Sequence, residues 1–212
     1  MADAMDSKSI SCDGSRGSSP RPGTTSAESA EFARALLPVL LHELNNHTQY
    51  LSALGALETL GETHLGRGEG LARTGQEIEE LGWLLGICAG GLGSDLLRDR
   101  SERRGLAHLV KLTRKAVRHE GRDLERADRS LPDLDPQLGW RGALEVGAIL
   151  FAASRSGASP LAFEIEADSR GLVVACRAPL DSLKGDLAAR AELDPVRGTD
   201  WFRVHVQPGV AS

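Results

Sequence analysis

The chain is poor in aromatic residues. Three Trp, one Tyr and four Phe make up 4% of its 212 residues, so a core must be built mostly from Leu, Ala and Val. Cysteine is scarce as well. Cys12, Cys88 and Cys176 stand far apart, which excludes a disulfide framework and a C-x-x-C metal pattern and fits a reducing compartment. No apolar run approaches 20 residues, which argues against a membrane span. The first residues lack the apolar centre of a secretory leader. There is no basic excess either: the net charge is −5, which argues against nucleic acid as a partner. The expectation is a soluble, cytoplasmic chain with no internal repeat.

What is present divides into three parts. Residues 1–26 are Ser, Gly, Pro and charge. Such a composition cannot bury enough apolar surface to order itself, so a disordered tail is expected. Residues 27–100 read as a helical hairpin. Leu37, Leu44 and Leu51 recur every seven residues, with Leu40, Leu41 and Leu54 beside them, a seam suited to helix packing. Pro38 predicts a kink or a restart. The turn ETHLGRGEG (62–70) leads to a second helix with Leu71, Ile78, Leu81, Leu85, Cys88 and Leu92 on one side. Its glycines, at 82, 86, 90, 91 and 93, weaken a helix but permit close approach of a neighbour. One hairpin cannot bury both its faces. Two copies, forming a four-helix bundle, would.

Residues 101–212 change texture. LAHLVKLTRKAVRH (106–119) predicts an amphipathic helix, RDLERADR (122–129) an edge strand, and LGWRGALEVGAILFAAS (138–154) an apolar helix. PLAFEIEA and GLVVACRA flank the turn DSRG as a hairpin. DSLKGDLAARAEL is a weak helix, and GTDWFRVHV (198–206) a last strand. The order predicts a small α/β sandwich with helices over one sheet face. The fold class is therefore α+β, a long helical hairpin followed by that sandwich.

The densest chemistry lies at HELNNH (42–47). A zinc protease places histidines at i and i+4 of a helix, on one face. His42 and His47 are i and i+5, about 140° apart, which argues against a shared metal. His42 lies on the side away from the leucine seam. Asn46 and Gln49 fall within about 40° of it. An exposed imidazole beside the carboxylate of Glu43 can serve as nucleophile or base. The plainer alternative is a solvated face that carries one histidine.

This stretch resembles the H-box of the dimerisation and histidine-phosphotransfer domain in two-component histidine kinases, which carries H-E-x-x-N or H-E-x-x-T on the first helix of a dimeric hairpin. The resemblance implies that His42 is the phosphoacceptor. It implies that Glu43 assists proton removal, and that Asn46 orients water during dephosphorylation of a receiver. It also implies receiver domains as partners and a homodimer. In-line phosphoryl transfer needs what His42 offers, an exposed ring nitrogen with room for a second domain. One departure is plain: the family often has Pro five residues after the histidine, where this chain has His47.

The order of elements in the second half resembles a shortened kinase ATP-binding domain. The family's N-box helix carries an Asn for magnesium and phosphate. Here the corresponding candidates are Ile149, Ala152 and Ala153, none of which can ligate a metal through side-chain oxygen. CRAPLDSL stands where the adenine-binding Asp-x-Gly-x-Gly turn belongs, and the glycine-rich lid is missing. No cofactor is expected. The whole is most similar to histidine phosphotransferases that pair a kinase-like bundle with a degenerate ATP-binding domain. A divergent histidine kinase or phosphatase, and a non-catalytic dimeric adaptor for response regulators, are the competing readings. His64, His108, His119 and His205 read as ordinary. Trp83, Trp140 and Trp201 read as packing anchors. The basic run Lys111, Arg114, Lys115, Arg118 and Arg122 reads as a solvated face, with docking of an acidic receiver as the alternative.

Overall fold

The computed structural model describes residues 26–59, 67–93, 105–126, 131–132, 139–157 and 159–206. The expected tail, Cys12, and the turn around His64 lie outside them. Two long helices come first, α1 (Ala27–Thr59) and α2 (Arg67–Gly91). They run antiparallel. His47 of α1 faces Glu77 of α2, the Tyr50 hydroxyl lies over Gly70, and Ala33 meets Gly91 at the far end. Ser26 caps α1: its hydroxyl accepts from the Ser29 N–H at 3.1 Å, satisfying one of the orphan amides of the first turn.

Pro38 does not restart α1. The helix passes through it as one element, because Leu36, Val39 and Leu40 on either side are fully or almost fully buried. Packing of that face outweighs the one donor that proline removes. The core stripe also differs from the expected seam. The buried positions are Phe32, Ala33, Leu36, Val39 and Leu40, while Leu37 and Leu44 are half-buried and Leu41 and Leu51 exposed. The heptad leucines thus border the core rather than form it.

Three further helices follow, α3 (Gly105–His119), α4 (Gly139–Ser156) and the short α5 (Gly185–Arg190), with a 3-10 turn at Leu180–Ser182. The strands are β1 (Leu124–Arg126), β2 (Leu161–Asp168), β3 (Gly171–Cys176), β4 (Glu192–Asp194) and β5 (Gly198–His205). They form one sheet in the order β1-β2-β3-β5-β4, with β1 parallel to β2 and the other pairs antiparallel. Of the predicted edge strand (122–129), Leu124–Arg126 forms β1, and 127–129 lie outside the described residues. The weak helix over 181–193 resolves into the 3-10 turn, α5 and the start of β4.

Alternation on β2 sends Leu161, Phe163 and Ile165 inward, in register with Cys176 and Val174 of β3, which oppose Phe202 and Val204 of β5. Leu112 of α3 and Val146 and Leu150 of α4 belong to the same apolar cluster, and so do Leu81, Leu84 and Ile87 of α2. One continuous core therefore joins the hairpin to the sheet layer. Its tightest helix contact is at Gly147 on α4. A Cβ there would strike the ring of Phe32, whose centroid lies 5.8 Å from that of Phe151. Among the described residues no helix is long and apolar enough to cross a membrane.

Candidate functional site

His42 sits at the middle of α1, exposed, with Asn45, Asn46 and Gln49 exposed on the following turn or two. This is the polar strip that helical geometry predicts. Glu43 does not join it. Its carboxylate turns into the junction of α1 and α3, where Lys115 donates to it in a close ion pair. The Glu43 side chain keeps 17% of its surface and that of Lys115 38%. Burial alone would raise the Glu43 pKa. The hydrogen bond and charge of Lys115, with the charges of Lys111 and His42, outweigh it and hold the carboxyl below its ordinary range. Glu43 is therefore ionised at neutral pH and already has a partner.

His47 faces elsewhere, as the i, i+5 spacing requires. Its Nδ1 lies 3.6 Å from Glu77 of α2, and Arg73 donates to the same glutamate at 3.2 Å. His108, read as ordinary, reaches from α3 to Glu80 of α2 with Nδ1 at 2.5 Å. His108 and Lys115 are seven residues apart and share a face of α3. That face thus straddles the hairpin, one contact on α2 and one on α1. Among the described residues no three His, Cys, Asp or Glu side chains converge as metal ligands. The Cys88 thiol is pushed up to about 12 by burial, so it is protonated and unreactive.

The basic run divides by task. Arg114 donates to the Leu124 carbonyl at 2.7 Å, Arg118 pairs with Asp123 at 3.0 Å, and Arg122 donates to the Ser154 carbonyl at the end of α4 at 2.7 Å. Arg114 and Arg118 tie α3 to the entry of β1, and Arg122, beyond the helix, ties that connection to the end of α4. Lys111 and Lys115 are the ones that act on Glu43, next to His42 in the chain. No local signal marks Lys115, since 72 positions of chain separate it from its partner.

The resemblance also points to α4, where a kinase would hold nucleotide. A small, open cleft of about 20 Å³ lies there, lined by Ser26, Glu28, Glu145, Ile149, Ala152 and Arg190, among others. Its polar groups serve each other. Glu28 of α1 accepts from the backbone N–H of Asp186 at 2.7 Å and of Leu187 at 3.3 Å, covering the first turn of α5. Arg190 pairs with Glu145 and donates to the His205 carbonyl at 3.1 Å. Carboxylates in this cleft would repel a triphosphate, and Ile149 and Ala152 offer magnesium no side-chain oxygen. The residues present do not fit a magnesium nucleotide. No family model matches this chain, and no curated protein matches it.

Proposed function

We propose that the protein is a phosphorelay component whose His42 accepts a phosphoryl group from a receiver aspartate and passes it to another. The observation that carries this reading is an exposed imidazole on the outer side of a helical hairpin, followed one turn later by exposed Asn46. A ring nitrogen attacks phosphorus, the bond from phosphorus to the receiver carboxylate breaks, and its electron pair returns to that carboxylate. Open space around His42 lets the second domain approach in line. Asn46 orients water in the reverse sense, when a phosphorylated receiver is hydrolysed. The nucleotide-hostile cleft on α4 supports phosphotransfer over autokinase activity.

The same reading makes the protein a homodimer. Leu37, Leu41, Leu44 and Leu51 on α1 and Leu71, Ile78 and Leu85 on α2 stay half-buried or exposed. Both sets repeat at heptad spacing. A second hairpin is the surface that such a pair of stripes fits.

The test uses the full chain and receiver domains from the same cell, phosphorylated with acetyl phosphate. Acid-labile label is expected to move to the wild-type chain and to fall to background in His42→Ala. Asn46→Ala should keep the label and slow receiver dephosphorylation roughly ten- to a hundredfold. Incubation with ATP alone should give no label. Equal labelling of wild type and His42→Ala would refute the assignment, and ATP-derived label on His42 would move the protein to the kinases.

A further inference from the structure

Resting on that phosphotransfer reading, we infer that Lys115 is a positioning residue of the His42 site, delivered by α3 to neutralise Glu43 so that an anionic phosphoryl donor can approach the imidazole. Three observations converge. The residue next to the proposed nucleophile is a carboxylate, which left alone would repel the donor. The structure gives it a cation from another element, in direct contact. Lys111, one turn earlier on the same face of α3, is exposed and adds positive charge at the same carboxylate.

The surroundings leave Lys115 as the principal counter-charge. From α1, Glu43 feels His42 one position before it and has His47 one turn on. From α2, Glu77 and Glu80 are the carboxylates paired with histidines of α1 and α3. His47 and His108 face those two, respectively. From α3 come Lys111 and Lys115. Glu43 is thereby a spoken-for anion and a weak base, and its role in transfer is electrostatic rather than proton removal. The α+β half of the chain then has a task that needs no nucleotide: it anchors α3, through Arg114 and Arg118 at the entry of β1, so that Lys115 stays on Glu43.

Phosphoramidate is the probe, because it modifies histidine with no receiver present. The imidazole nitrogen forms a bond to phosphorus, the P–N bond of the reagent breaks, ammonia leaves, and the proton on the other ring nitrogen goes to water. Lys115→Met should slow this reaction at His42 about tenfold, the effect of one unit charge acting over roughly 10 Å at a protein edge. Lys115→Arg should stay near wild type. Lys115→Met with Glu43→Gln removes both charges and should return to near the wild-type rate. The decisive readout is the ratio of Lys115→Met to wild-type rates against pH. In the variant, only the charges of Lys111 and His42 still oppose burial at Glu43, so it protonates at higher pH than in wild type and the ratio should climb toward one on acidification. A loss of packing alone would leave that ratio flat. A flat ratio, or a Lys115→Met rate equal to wild type, overturns the role of Lys115. Failure of receivers to label the wild type, with phosphoramidate reactivity still dependent on Lys115, would instead sink the phosphorelay reading and leave the electrostatic coupling standing.

Discussion

Asp194 shows how this fold handles a charge it cannot leave in water. It is 3% exposed at the turn between β4 and β5. Its Oδ1 accepts from the backbone N–H of Val196 at 2.8 Å and of Arg197 at 3.1 Å, and its Oδ2 from the Arg197 guanidinium at 2.6 Å. Arg197 then continues to Glu164 and Glu166 on β2 and lies 5.6 Å from the centroid of Trp201. Burial opposes ionisation of Asp194, but the Val196 amide and Arg197 outweigh it and hold the pKa low. A carboxyl whose folded pKa lies below its unfolded one contributes stability above the unfolded value. That stability is lost as pH falls through the folded value. Stability should therefore drop below about pH 4, and Asp194→Asn should flatten that drop in urea titrations. At pH 7, Asp194→Ala should cost about 3 kcal/mol, because it leaves Arg197 half-buried with one partner fewer and two turn amides unsatisfied. A loss under about 0.5 kcal/mol would mean that Glu164 and Glu166 alone suffice.

Between elements, glycine sets the spacing. Gly147 lets α1 lie on α4 with Phe32 directly over its Cα. Gly147→Ala should force the ring aside and destabilise the protein by roughly 1–3 kcal/mol, read as a lower thermal midpoint. Phe32→Leu in the same chain should recover part of the loss by making room. On α2, Gly90 meets Trp140 and Gly91 meets Ala33 and Leu144, whereas Gly82 faces open space. The sequence pointed to close approach along this helix but could not say which glycines are used, since that depends on where α4 lies. The same limit governs the site. Exposure of His42 was legible from its angle to the leucines. So were the hairpin and the long strands, set by periods of 3.6 and 2 within one segment. The partner of Glu43 was not, because nothing in HELNNH predicts where α3 will cross. The three-residue β4 escaped for another reason. Its pairing to β5 carries an irregularity at Leu193/Asp194, which breaks the alternation a strand would show.

For the whole molecule, the open question of assembly turns on which way the leucine stripes face. At 100° per residue, Leu37, Leu44 and Leu51 lie about 80° around α1 from the buried set. Leu71, Ile78 and Leu85 lie about 95° around α2 from Leu81, Leu84 and Cys88, in the same rotational sense along the chain. In an antiparallel pair, rotations of the same sense bring both stripes to one side of the hairpin. His42 is turned about 120° the opposite way, exposed on the side where Lys115 of α3 meets Glu43. A second hairpin can therefore cover the stripes without touching His42, and each protomer of such a dimer presents its own histidine outward. The contact would be isologous, the same two stripes meeting themselves across a two-fold axis. Leu41, 53% exposed, and Leu51, 36% exposed, are the residues to change. Leu41→Glu with Leu51→Glu places two like charges against their own symmetry mates, each at a cost of several kcal/mol if desolvated. Sedimentation equilibrium should give a dimer for wild type and a monomer for the double variant. The variant should keep its helical circular dichroism, since neither leucine belongs to the buried core. It should also keep the reactivity of His42 toward phosphoramidate, because Glu43, Lys115 and the ring all lie within one protomer. A monomeric wild type would show that the stripes serve another partner. A dimer unaffected by the two glutamates would place the interface elsewhere on the surface.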